Sequence, residues 1–126
     1  MKKAPIRAAT CAALDSNFRM RHGAALYKGG KVYKTSFNQP GFSSFGARFR
    51  ETKHFASCHA ELALILNVDA KVTKGADVYV ARLSSEGKLA NSKPCSMCEN
   101  ALRYCGIRRV FYSNNDQTWS CMYLGN

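Results

Sequence analysis

The chain carries His59-Ala60-Glu61 and, well downstream, Pro94-Cys95-Ser96-Met97-Cys98. Together these segments supply an imidazole, two thiols three residues apart, and a carboxylate next to the imidazole. Three protein ligands on a tetrahedral zinc leave one position for water, the mark of a catalytic rather than a closed structural site. A neighbouring carboxylate suits proton transfer at that water. The fold is constrained accordingly, since two distant segments must meet at one point to share a metal. A Cys-x-x-Cys alone also fits a redox pair or a structural zinc. A structural site would need a fourth ligand, which Cys58, His54 or Glu61 could supply.

The paired motifs, with the elements between them, resemble those of the cytidine/deoxycytidylate deaminase superfamily, zinc-dependent nucleobase deaminases with HAE…PCxxC motifs. The resemblance runs from about Gly23 to Tyr112. It implies Zn2+ held by His59, Cys95 and Cys98, with Glu61 as the catalytic acid/base. It implies a hydrolase acting on the C–N bond of a cyclic amidine, the exocyclic amine of a base. It also implies a three-layer α/β/α sandwich around a five-stranded sheet, and a homo-oligomer.

The 126 residues suit one domain, 1–126, and 46% hydrophobic content is enough for a core. No segment approaches the roughly 20 apolar residues of a membrane helix, so no membrane partner is expected. Arg7 and Asp15 break up any apolar stretch after the basic start, and a cytoplasmic protein is expected. Disulfides are not expected, and Cys11, Cys58, Cys105 and Cys121 read as small buried apolar residues. The net charge is +11, and residues 1–57 hold 11 of the 19 Lys and Arg but only Asp15 and Glu51 of the eight acids. A basic front half favours an anionic partner, although solubility alone also accounts for basic surface.

Residues 5–18 have a moderate helical pattern with alanine-rich propensity. Ala24–Tyr27 and Lys31–Thr35 flank Lys28-Gly29-Gly30 and read as a β-hairpin. Leu62, Ile65 and Leu66 predict a helix over Glu61–Val68. Asp77–Leu83 reads as a strand, and Cys95 and Cys98 share the first turn of a helix. Pro94 suits that turn and Gly106 its stop. His59 and Glu61 would not share a face in mid-helix, so His59 must stand at a helix entrance. Arg109–Tyr112 and Thr118–Leu124 are the last strands. The few residues between them are too short for a parallel crossover, so these two strands are antiparallel if they are neighbours and the sheet is mixed. That ending resembles the free-cytidine branch of the superfamily.

By resemblance, Asn38 is a sugar contact and Phe37 a stacking wall, and the backbone N–H groups of Ala60 and Cys95 steady the intermediate. Asn38 equally suits a turn before Gln39-Pro40-Gly41. The stretch from Gln39 to Ser57 mixes Phe42, Phe45, Phe49 and Phe55 with Arg48, Arg50, Lys53 and His54. Such a mixture fits stacked bases and phosphates, or a lid with its phenylalanines packed inward. Arg19, Arg21 and His22 form a second basic cluster. Arg19, Arg21, Arg48 and Arg50 are therefore candidate substrate contacts, while His22 and His54 are not expected to bind metal. Trp119 and Tyr123 read as core or oligomer contacts.

Three readings follow. One is a deaminase converting cytosine to uracil in a free nucleoside or nucleotide. Another is a deaminase acting on single-stranded DNA, RNA or tRNA. The third is a catalytically silent zinc protein that binds nucleic acid, which an intact Glu61 argues against.

Overall fold

A computed structural model describes residues 1–16, 20–40 and 57–125, with the side chains of residues 39, 40, 57 and 58 left aside. Helix α1 (Lys3–Leu14) precedes a hairpin of β1 (Arg21–Lys28) and β2 (Lys31–Phe37). Two short strands follow, β3 (Gln39–Pro40) and β4 (Ser57–Cys58). Helices α2 (Ala60–Ile65) and α3 (Ala70–Thr73) lead to β5 (Asp77–Leu83) and β6 (Leu89–Ala90). Helix α4 (Ser96–Tyr104) and strands β7 (Arg109–Ser113) and β8 (Trp119–Tyr123) complete the chain.

The main sheet is six-stranded, in the order β2-β1-β5-β7-β8 with β6 paired to β5. Among the described strands only β5 and β7 run parallel, and α4 lies in the crossover between them. The final pair is antiparallel, as its short connection requires. Strand β6 was not legible in Leu89-Ala90, because two residues carry no period.

Alternation along the strands builds three layers. Ala24, Leu26, Val78, Val80 and Val110 face α2 and α4, where they meet Leu62, Ile65, Met97, Ala101 and Leu102. Ala25, Tyr79, Ala81 and Phe111 face the other way and pack with Ala9 of α1. Tyr79 and Phe111 stack there at 4.5 Å between centroids. Gly23 marks the tightest point, since a Cβ on it would lie 2.1 Å from the Ala9 carbonyl oxygen and 2.3 Å from the Ala13 nitrogen. The backbone of α1 thus rests directly on β1.

Several boundaries differ from the sequence pattern for local reasons. Helix α1 ends at Leu14, where Asp15 N–H closes on the Ala12 carbonyl and Ser16 N–H on the Ala13 carbonyl. Helix α2 stops at Ile65, because Leu66 turns extended and Asn67 takes a positive φ of 60°. Lys34 seals that end by donating from Nζ to the carbonyls of Ala63 and Leu66, at 3.0 and 2.9 Å. Pro94 precedes the N-cap of α4 rather than entering its first turn. Gly106 (φ 83°) stops α4 as expected, with Ile107 N–H bonded to Leu102 and Gly106 N–H to Arg103. Cys11 and Cys121 are exposed, contrary to expectation: Cys11 lies on the outer face of α1 and Cys121 on the edge strand β8. Among the described residues, no helix is long and apolar enough to cross a membrane.

We expect Gly23→Ala to lower the unfolding free energy by about 2 kcal/mol or more, because helix backbone occupies the space a methyl needs. Urea unfolding measures it. An unchanged midpoint would mean that α1 does not bear on β1.

Candidate metal centre

Strands β3 and β4 pair Gln39 with Cys58 and Pro40 with Ser57. This two-residue ladder brings the chain back beside the end of β2, and His59 follows at once. His59 is the N-cap of α2, extended at φ −64° and ψ 151°, which is the helix entrance its spacing to Glu61 demands. The Ser36 hydroxyl of β2 donates to the Ala60 carbonyl at 2.6 Å and fixes the start of α2 against the sheet. Cys95 is the N-cap of α4, also extended (φ −70°, ψ 166°), and Cys98 lies in the first turn.

The segment leading to Cys95 is held by buried serines. Ser92 Oγ donates to the Val80 carbonyl at 2.7 Å, and Ser113 N–H donates to Ser92 Oγ at 2.7 Å. Ser113 Oγ reaches the Ala90 carbonyl at 2.7 Å. Two helix starts from distant parts of the chain therefore face each other.

His59 Nδ1 lies 3.2 Å from Cys98 Sγ and 3.7 Å from Cys95 Sγ. All three ligand atoms fall within 4.8 Å of one another. A tetrahedral zinc, with bonds of about 2.0 Å to nitrogen and 2.3 Å to sulfur, sets such N···S pairs about 3.5 Å apart. The cluster brackets that spacing, so the donor set fits the metal. Among the described residues, no fourth His, Cys, Asp or Glu joins the group. His54 and the side chain of Cys58, the alternative ligands, lie outside the description.

Proton sharing links these groups. A hydrogen bond from Cys98 holds the Cys95 thiol down at about 4, and His59 adds to the effect. Cys98, the donor and deeply buried, is pushed far above the ordinary thiol range. The bond with Cys95 raises His59. Glu61 is 5% exposed, and burial lifts its carboxyl above the usual range while nearby His59 opposes the shift. Cys98 also acts on this carboxyl, lowering it slightly, so Glu61 stands beside the ligand cluster.

The expected substrate contacts divide. Ala60 is fully buried beside His59. Asn38 reaches the site end of the sheet, but its amide is engaged with backbone. Oδ1 accepts from His22 N–H at 3.0 Å, and Nδ2 donates to the Met20 carbonyl at 2.9 Å. Phe37 pairs with Gly23, so alternation directs it toward the α1 layer, away from the metal face. Arg21 also falls on the α1 side, and its Nη2 donates to the Ser84 carbonyl at 2.9 Å. The structure therefore does not bring Phe37 or Arg21 to the cluster. Arg19, Arg48 and Arg50 lie outside the described residues, with the rest of the aromatic and basic stretch. A cavity of about 510 Å³ at the edge of β2 is lined by Lys34, Leu66, Asn67 and Val68 among others, and none of the ligand residues lines it.

Sequence reasoning passed over Arg82 and read His22 only as one member of a basic cluster. They are cross-strand partners on β1 and β5. His22 lies within electrostatic reach of His59 and Cys95. Burial first, then Arg82 and His59, lower it to about 4, so it is neutral near pH 7. The signal for Arg82 was present, since it is the lone charge inside the apolar run Val78-Tyr79-Val80-Ala81-Arg82-Leu83.

Comparison with known proteins agrees with this geometry. Residues 1–114 match the family described as "Cytidine and deoxycytidylate deaminase zinc-binding region". No curated protein sequence matches significantly. Cytidine deaminase from Burkholderia pseudomallei is similar in structure, with a TM-score of 0.69 and 21% identity over 99% of this chain and 94% of that one. The dCMP deaminase of cyanophage S-TIM5 in apo form superposes with a TM-score of 0.63 and 21% identity, over 90% of this chain and 86% of that one. Its complex with dCMP and dUMP gives a TM-score of 0.64 at 21% identity, over 90% and 84%. With His59, Cys95 and Cys98 placed to hold zinc, the chain belongs to the cytidine and deoxycytidylate deaminase zinc-binding family.

Proposed function

We propose that the chain hydrolyses the exocyclic amine of cytosine in a free nucleoside or nucleotide, giving uracil and ammonia. The observation that carries this reading is Glu61, a buried carboxylate set against a three-ligand cluster that lacks a fourth protein ligand among the described residues. Zinc held there supplies a Lewis acid that brings the pKa of a water molecule to around 7.

Glu61 does the proton work. It takes one proton from the water that attacks C4 and passes it to the ring nitrogen, then moves the proton left on the new C4 hydroxyl to the departing amine. Burial suits this work, since lifting the carboxyl toward the operating pH makes the carboxylate a stronger base toward water while its acid form can still pass the proton on. Water adds across the N3–C4 bond, the bond from C4 to the exocyclic nitrogen breaks, and the leaving group departs as ammonia. His59 and Cys95, held as N-caps, keep the ligand cluster fixed while Glu61 changes protonation state.

Support for cytosine comes from the antiparallel β7–β8 ending and from the likeness to cytidine and dCMP deaminases, which cover most of this chain. The net charge of +11 favours a second reading, a deaminase of single-stranded nucleic acid. Salt separates the two. Turnover of an oligonucleotide held through several phosphates collapses with added salt, whereas turnover of a free nucleotide responds mildly.

Glu61→Gln should retain zinc and fold while losing turnover by roughly 10²–10⁴-fold, the usual worth of a positioned acid/base. Mass detection of uracil products measures the loss, and full activity in this variant would remove Glu61 from the reaction. Metal analysis should find one zinc per chain in the wild type and little in His59→Ala or Cys98→Ser. Protons compete with zinc for the imidazole and both thiolates, so retention against a chelator should weaken as pH falls. Retention independent of pH would contradict a two-thiolate site.

A further inference from the structure

Three polar residues stand in one row at the site end of the sheet. Asn38 N–H bonds to the His22 carbonyl across β2 and β1, and His22 pairs with Arg82 across β1 and β5. The adjoining row is Ser36, Ala24 and Val80, and Ser36 anchors the start of α2. By alternation His22 and Arg82 share the face of Ala24, Leu26, Val78 and Val80, the face that carries α2, α4 and the ligand cluster. Arg82 thus stands beside His22, and His22 beside His59 and Cys95.

The arginines differ in what meets their guanidinium groups. Arg109 presents its Nε and Nη2 edge to Asp77, at 2.9 and 2.7 Å. Arg103 pairs with Glu99 at 3.0 Å. Arg82 has no carboxylate among the described residues. Its Nη1 donates to the Asn91 carbonyl at 3.4 Å. Its Nε is the one buried side-chain nitrogen or oxygen, among the described residues, without a hydrogen-bond partner. A buried N–H without an acceptor is costly and uncommon. The side chain as a whole is only half-buried, so its head group stays within reach of a ligand. The Nε/Nη2 edge is the fork that matches two oxygens of one carboxylate or phosphate, as Arg109 shows in this same protein.

We propose that Arg82, with His22 alongside, forms an anion subsite that takes the 5′-phosphate of a nucleoside monophosphate substrate. This rests on the deaminase reading above. Of the groups on a cytosine nucleotide, only the phosphate offers two anionic oxygens on one atom. A base carbonyl or sugar hydroxyl offers a single neutral acceptor and leaves half the fork unmet. The subsite makes the enzyme a nucleotide deaminase in preference to a nucleoside deaminase.

The test compares zinc-loaded wild type, Arg82→Lys and Arg82→Met on dCMP, deoxycytidine and an oligodeoxycytidylate without terminal phosphates. Zinc content and circular dichroism confirm folding, and Arg82→Lys serves if Arg82→Met does not fold. We expect the wild type to favour dCMP over deoxycytidine in kcat/KM by about tenfold or more, mainly through KM, in line with a charge-assisted contact. That ratio should fall by about tenfold in Arg82→Met and less in Arg82→Lys. Equal losses on both substrates would show that Arg82 only braces the sheet, and would overturn the proposal. So would a wild type indifferent to the phosphate, or one that prefers the oligomer. If nothing is turned over, the deaminase reading fails by itself. The subsite is then judged by calorimetry, where binding of dUMP no tighter than deoxyuridine overturns it.

Discussion

Two helix starts pointed at one another are the constraint on which this molecule depends. His59 ends an extended segment and opens α2, and Cys95 does the same for α4. Each is therefore extended in backbone, with its side chain free to turn off the helix axis. The result is a nitrogen and two sulfurs within 4.8 Å. Everything nearby serves that approach. Ser36 pins α2 to β2, and Ser92 pins the run before α4 to β5 and β7. The parallel pairing of β5 and β7 gives α4 its place in the crossover.

Much of this was legible because the chemistry is local. Residue type and spacing fix which side chains bind metal, and the i, i+2 relation of His59 and Glu61 fixes which end of the helix must carry them. The antiparallel ending followed from chain length alone. What escaped was register. Phe37 and Arg21 have suitable chemistry, yet the pairing of Gly23 with Phe37 turns both away from the metal face. No single strand reveals which of its two faces is which until its neighbour is known, and the irregularity between Leu26 and Tyr27 shifts the pairing as well. The nearness of His22 to Arg82 escaped for the same reason. Their adjacency exists only across strands.

Asn38 illustrates how one residue serves two readings. The turn composition after it suggested backbone bonding, and the family resemblance suggested a sugar contact. In the structure its amide holds Met20 and His22, at the entry to β1. The side chain thereby orients the strand that carries His22, and any direct role in the pocket would use its remaining donor and acceptor capacity.

The small ladder of β3 and β4 has a corollary. Because Gln39 pairs with Cys58, these two residues stand as gateposts directly ahead of His59. Lengthening or replacing the sequence between the gateposts changes loop-closure entropy only slowly. Changes there leave His59 in register with Cys95 and Cys98 for as long as that pairing holds.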